Sequence, residues 1–157
     1  MDIKICDFGA AAKLSHPDEF RKTICGTPNF MAPEVIKGVS GGHSFEADLW
    51  SLGCIIYSLL IGKPPFRGKD IEIIHENITK RKFEYPENIE ISDAARDLIN
   101  LLLKTNPMKR IKLEQIMEHE FMTKNPVPHA LPDRYTHVTP SIRFIKQFYP
   151  NAELAKK

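Results

Sequence analysis

Asp7-Phe8-Gly9 is the stretch of this chain whose residue types and spacing best suit chemistry. It follows the short alternating run Ile3-Lys4-Ile5-Cys6. A D-F-G tripeptide behind a strand is a magnesium-holding motif, in which the Asp offers a hard oxygen donor to a hard cation. Taken alone it reads equally well as a turn, because Asp and Gly are common turn formers. Thr23 places a hydroxyl after the basic pair Arg21-Lys22; its plain reading is a solvated loop threonine. Other constellations fail on spacing. His75-Glu76 and His119-Glu120 lack the second His of a zinc-protease helix. Cys6, Cys25 and Cys54 form no C-x-x-C pair, which argues for reduced thiols rather than a zinc site or a disulfide framework.

The elements that must position these residues are mostly helical. Ile3 to Cys6 has the period of a short strand. Residues 10 to 33 show no helical period and read as a long loop, and a loop of that length within a compact domain is usually functional. Ser44 is the expected N-cap of a helix running to Ile61, with Glu46 and Asp48 in its first turn and Gly62 at its end. That helix is apolar nearly all round, as befits the centre of a core. Asp70 is expected to cap a second helix bearing Ile71, Ile74 and Ile78. Ser92 and Asp93 open a third, with the stripe Ala95, Leu98, Ile99 and Leu102. Asn106-Pro107 reads as a turn and Leu113 to Met117 as a short helix. From residue 123 the chain becomes proline-rich, with Pro126, Pro128, Pro132 and Pro140 pointing to an extended arm over 123–142. Arg143 to Phe148 could form one weak helical turn.

Composition narrows the function classes. A hydrophobic fraction of 42% and a charged fraction of 27% are ordinary for a globular protein. A formal net charge of +2 carries no whole-chain argument for nucleic acid. The start of the chain lacks a signal-peptide pattern, and the apolar run from Leu49 to Ile61 is too short to span a bilayer. No nucleic-acid or membrane partner is expected. The basic runs Lys80 to Lys82 and Lys156-Lys157 read as solvated faces.

Taken in order, Asp7-Phe8-Gly9, Cys25-Gly26-Thr27-Pro28-Asn29-Phe30, Ala32-Pro33-Glu34, Asp48-Leu49-Trp50-Ser51-Leu52-Gly53, Gly62-Lys63-Pro64-Pro65-Phe66 and Asn106-Pro107 with Arg110 form a series. Over residues 3 to 122 the chain resembles the C-terminal lobe of a eukaryotic Ser/Thr protein kinase. A single tripeptide would be weak support, whereas six ordered motifs are specific. The segments Arg21 to Phe30 and Gly42 to Asp48, with the arm from Phe121 to Pro140, resemble polo-like kinases. Calcium- or nutrient-regulated and cyclic-nucleotide-type kinases share the C-G-T-P segment and are the competing subfamilies. The expected fold is mainly α: a kinase C-terminal lobe in which the N-lobe and the catalytic loop are absent. Residues 1–122 would be the partial kinase domain and 123–157 a Pro-rich C-terminal extension.

The resemblance assigns roles residue by residue. Asp7 would hold Mg²⁺ on the phosphates of ATP, with Phe8 and Gly9 completing the nucleotide-binding motif and Phe8 packing into the lobe. Thr23 would be the activation phosphosite, gaining about −1.5 to −2 charge on modification. Thr27, Pro28, Asn29, Phe30 and Met31 would shape the pocket for the substrate residue after the phosphorylated one. Glu34 and Arg110 would form a structural ion pair, Arg being suited to it by its planar fork. Asp48 would anchor the catalytic loop, or merely face its own helix dipole, and Trp50 would be a core aromatic.

The same resemblance shows what residues 1 to 157 lack. No motif supplies the substrate-orienting base of an H-R-D loop, a second metal-binding Asn, a phosphate-binding lysine or a Gly-rich cover. The expected activity is transfer of the ATP γ-phosphate to protein Ser/Thr by a longer protein, with Met1 an internal methionine and the chain alone inactive. Protein substrates and a missing N-terminal kinase segment or regulator would be its partners, in the cytoplasm or nucleus. A non-catalytic binding lobe and a pseudokinase-like relic are the alternatives. With its neighbouring helix missing, the apolar helix over 49–61 is expected to be partly exposed and the fold marginal.

Overall fold

Among the described residues, the apolar periods of the sequence become six α-helices: α1 (Pro33–Lys37), α2 (Glu46–Ile61), α3 (Ile71–Thr79), α4 (Asp93–Leu102), α5 (Leu113–Glu118) and α6 (Glu120–Thr123). Single 3-10 turns occur at Phe8–Ala10, Pro28–Phe30 and Pro107–Lys109. The structure is a computed structural model, and it describes residues 5–16, 19–38 and 41–124. The elements named above all fall within one compact unit, Asp7–Pro126. Among the described residues there is no strand, only an isolated antiparallel bridge between Arg21 and His43. Ile5 and Cys6 therefore do not bear out the expected strand as far as they are described, and residues 3 and 4 lie outside the described residues. The Pro-rich arm and the turn at 143–148 lie outside them as well.

Helix α2 is the axis of the core. Trp50, Cys54, Tyr57 and Ile61, at helical spacing, are buried with Phe66, Ile78, Ile99 and Leu103. A second cluster of Leu98, Leu102, Ile111 and Ile116 packs against Leu49 and Leu52 on another side of the same helix. Two buried faces explain why the sequence of α2 has almost no polar stripe. Gly53 makes the α2–α4 contact close: a Cβ there would stand 2.8 Å from Leu102 Cβ. Gly62 ends α2 in the left-handed region, at φ 80°, with its N–H on Ser58 O, a conformation glycine adopts without a Cβ clash.

Two of the caps are as the sequence suggests. Asp70 accepts from Ile73 N at 2.9 Å, and Ser92 accepts from Ala95 N at 3.3 Å. The cap of α2 is not. Phe45 is the residue before this helix and provides no side-chain cap, while the Ser44 hydroxyl donates to Glu19 O at 3.2 Å. Ser44 thus ties two loops together, a long-range use of a hydroxyl that local pattern could not reveal.

The stripe on α4 is buried throughout, but that on α3 is graded: Ile78 is buried, Ile74 half-buried and Ile71 exposed. On α5 only Ile116 is buried, and Leu113 and Met117 face solvent. Helix α6 begins at a cap from His119, whose Nδ1 accepts from Phe121 N. It includes Thr123, so helical structure runs one residue into the expected extension. Helix α1, which starts at the last residue of the expected loop, is an element not anticipated. Its signals are short but present: Pro33 at the first turn, Glu34 near the N-terminus, Lys37 in the last turn and Gly38 after it.

Candidate functional site

The long segment from Asp7 to Glu34 carries most of the residues of chemical interest, and its geometry follows from how it is tethered. Asp7 stands in the left-handed region at φ 61°, with its Oδ1 3.4 Å from Gly9 N at the start of the Phe8–Ala10 turn. Phe8 is 68% exposed. The expected packing of Phe8 into the lobe is therefore absent here, because no apolar wall meets it. No cluster of three or more His, Cys, Asp or Glu forms among the described residues. Asp7 is a single exposed carboxylate, which by itself would supply one oxygen-donor side chain to a divalent cation. The described residues alone do not make a nucleotide site.

Arg21 holds the next stretch. Its backbone pairs with His43 at 2.9 and 2.8 Å, and its Nη2 donates to Lys13 O and pairs with Glu19 at 2.6 Å. His43 Nε2 lies 2.9 Å from Thr23 O, which makes that nitrogen the N–H donor. The Thr23 hydroxyl is on an exposed residue beside Lys22. The backbone at Arg21 and at the Thr23 carbonyl is thus fastened to His43, while Thr23 itself is exposed.

From Thr27 to Met31 the chain turns from solvent into the core. Thr27 precedes the Pro28–Phe30 turn, is exposed, and provides no side-chain cap. Asn29 Nδ2 donates to Phe66 O at 2.7 Å, and Phe30 O accepts from Ser51 Oγ at 2.9 Å. Met31 is buried. These bonds fix this stretch against α2 and the loop after it. Phe66 in turn stacks on Trp50, with ring centroids 5.3 Å apart and planes 11° apart.

Glu34 and Arg110 meet across the body of the protein. Arg110 Nη1 and Nη2 donate to the two carboxylate oxygens at 2.6 and 2.7 Å, and both side chains are buried. Arg110 also donates to Lys104 O and Glu46 O and lies over the Trp50 ring at 5.1 Å. A buried guanidinium with its donors used in this way is a clamp between α1, the start of α2 and the turn after Pro107. Trp50 itself is fully buried, and its Nε1 has no hydrogen-bond partner among the described residues.

Asp48 is separate from this arrangement. It lies exposed in the first turn of α2, and its carboxylate accepts no hydrogen bond among the described residues. From that position in the first turn its carboxylate faces the positive end of the helix dipole. Cys54 offers no nucleophile, since burial pushes its thiol up to about 12 despite the nearby Arg110 charge.

The sequence profile of the protein kinase domain matches residues 1–122. The chain is 46% identical over 149 residues to the "Probable serine/threonine-protein kinase CCRP1" of Zea mays, covering 94% of this chain and 24% of that protein. It is 42% identical over 146 residues to the "Cell cycle serine/threonine-protein kinase CDC5/MSD2" of Saccharomyces cerevisiae, covering 93% and 21%. It is 41% identical over 140 residues to the "Serine/threonine-protein kinase PLK1" of Xenopus laevis, covering 89% and 23%. The chain spans about a quarter or less of the length of these relatives.

Proposed function

Because the chain belongs to the protein kinase family, with polo-like Ser/Thr kinases among its relatives, we propose that it is the activation-segment and C-terminal-lobe part of a polo-like kinase. In the whole enzyme the γ-phosphate of ATP passes to a protein Ser or Thr. Asp7 is then the magnesium ligand, Thr23 the activating phosphosite, and Thr27 to Met31 the wall of the substrate pocket. The bound ion supplies charge neutralisation on the phosphates. What the chain's own residues do is positional: Asn29, Phe30 and Met31 are held against Phe66 and Ser51, and the Glu34–Arg110 clamp holds the end of the segment to the lobe. That buried clamp, sited at Ala32-Pro33-Glu34, is the observation that carries the reading.

The 157 residues by themselves do not transfer phosphate in this reading. Asp7 has no partner ligand among the described residues, and no residue takes the part of the base that orients the substrate hydroxyl. Helix α2 also presents Ile55 and Leu59, one turn apart, to solvent at 46% and 81% exposure. An apolar strip of this kind is where the helix preceding the catalytic loop would lie in a whole kinase. The exposed strip also favours a second reading, a non-catalytic lobe that docks a partner. The test is a chimera that joins this chain to the preceding part of a polo-like kinase. Phosphate transfer to protein by the chimera, lost on Asp7→Ala, is expected; a folded but inactive chimera would leave the docking lobe as the better reading. Transfer by the 157-residue chain that disappears on Asp7→Ala would overturn the claim that it is inactive alone.

A further inference from the structure

An open cleft of about 670 Å³ lies on the lobe between the end of α2, the Gly62–Phe66 loop, α3 and the segment 82–86. Its volume falls within the ~300–1,000 Å³ of ligand clefts. None of the roles assigned above uses it. Tyr57, Phe83 and Tyr85 form its floor and pack on one another with centroids 5.6 to 5.7 Å apart. Both tyrosine hydroxyls are turned into the protein, Tyr57 donating to Glu84 O at 2.6 Å and Tyr85 to Arg96 O at 3.5 Å. The floor therefore offers ring surface rather than hydrogen bonds, and any polar recognition falls to the rim.

The rim is basic. Lys63, Arg67 and Lys82 line the mouth, are exposed, and form no ion pair among the described residues. Glu84 is the one carboxylate among the lining residues. Arg81 is a fourth cation of the lining, but its guanidinium is bound to Leu103 O and Asn100 and lies over Phe83, so it stiffens the floor. The rim is also anchored: Asn77 Nδ2 donates to Arg67 O at 2.9 Å, and Lys82 N donates to Asn77 O at 2.7 Å. Opposite-sign partners are favoured by such a rim, through both encounter rate and register.

We propose that this cleft docks an acidic peptide segment of a partner protein, its carboxylates on Lys63, Arg67 and Lys82 and an apolar side chain against the Phe83 and Tyr85 rings. Charge complementarity commits the site to an anion. The rings argue against a nucleic acid, because they pack edge-on or tilted against one another instead of standing free as stacking platforms.

The test is fluorescence anisotropy on the 157-residue chain with a labelled glutamate-rich peptide carrying one central phenylalanine. A glutamine counterpart and a single-stranded oligonucleotide of equal charge serve as the other arms. The acidic peptide is expected to bind, to weaken as salt rises, and to bind more tightly than both other probes. The variant K63E/R67E/K82E keeps its helical circular dichroism and loses about tenfold or more in affinity, as the loss of three exposed charge pairs implies. Reversal of two exposed lysines that do not line the cleft, K37E/K109E, is expected to weaken binding far less than the triple variant does. Equal binding by the triple variant, by the glutamine peptide or by the oligonucleotide overturns the proposal, as does absence of binding below about 1 mM, the floor of specific recognition.

Discussion

Arg110 and Glu34, 76 residues apart in the chain, share a bidentate ion pair from which water is excluded. Each partner would be left as an uncompensated buried charge without the other, so either single substitution is expected to cost ~3–5 kcal/mol. Arg110→Lys cannot restore the fork and is expected to be nearly as damaging as Arg110→Met. The double variant Glu34→Leu/Arg110→Met is expected to lose less than the sum of its two single changes. Urea midpoints of the four proteins measure this, and strictly additive losses would count against a coupled pair.

Gly53→Ala exchanges a poor helix former for the best one, a gain of about 1 kcal/mol in an open helix. Here the new methyl would meet Leu102 Cβ at 2.8 Å and Leu103 Cδ2 at 3.0 Å. Overpacking of ~1–3 kcal/mol is the larger effect, and a lowered melting temperature is expected. A stabilised Gly53→Ala protein would mean that α4 can move away from α2.

The thiol of Cys54 and the phenol of Tyr85 are both pushed up to about 12 by burial, from ordinary values of 9.0 and 10.0. Their protonated forms are thus favoured by folding. The unfolded chain releases these protons first, so stability is whole below pH 9.0 and falls progressively towards about 12. Chemical unfolding followed across that range should show the decline, and a Cys54→Ala protein should show less of it. In the native chain a thiol reagent should label exposed Cys25 and spare Cys54.

Ile55 and Leu59 form an uncovered apolar strip on α2. The 157-residue chain is expected to bind an apolar dye in its native state. Ile55→Gln with Leu59→Gln should reduce that binding with little loss of stability, since exposed positions usually change stability by within about 0.5 kcal/mol. Undiminished dye fluorescence would place the sticky surface elsewhere.

How much of this was legible in the sequence differs from one element to the next. The end of α2 follows from Gly62, and the starts of α3 and α4 follow from apolar period with Asp70 and Ser92. Ser44 misled because its hydroxyl has two eligible partners, a nearby helix N–H from which it could accept and the distant Glu19 carbonyl to which it donates, and only packing chooses between them. Phe8 misled because a large apolar side chain is buried only where a wall exists to receive it. The basic run near Lys82 reads as a solvated face, and its nearness to Lys63 and Arg67 depends on the turn from α2 into α3.

The sequence by itself determined the order of motifs, hence the family, and the positions of the main helices. Both are local properties: motif order is read along the chain, and helix periods and caps act over three or four residues. Tertiary structure decided that Glu34 reaches Arg110, that two faces of α2 are buried while Ile55 and Leu59 are not, and that three scattered cations rim one cleft. Those outcomes depend on side chains from distant segments competing for the same dry volume, and a linear pattern does not encode which of them arrive there.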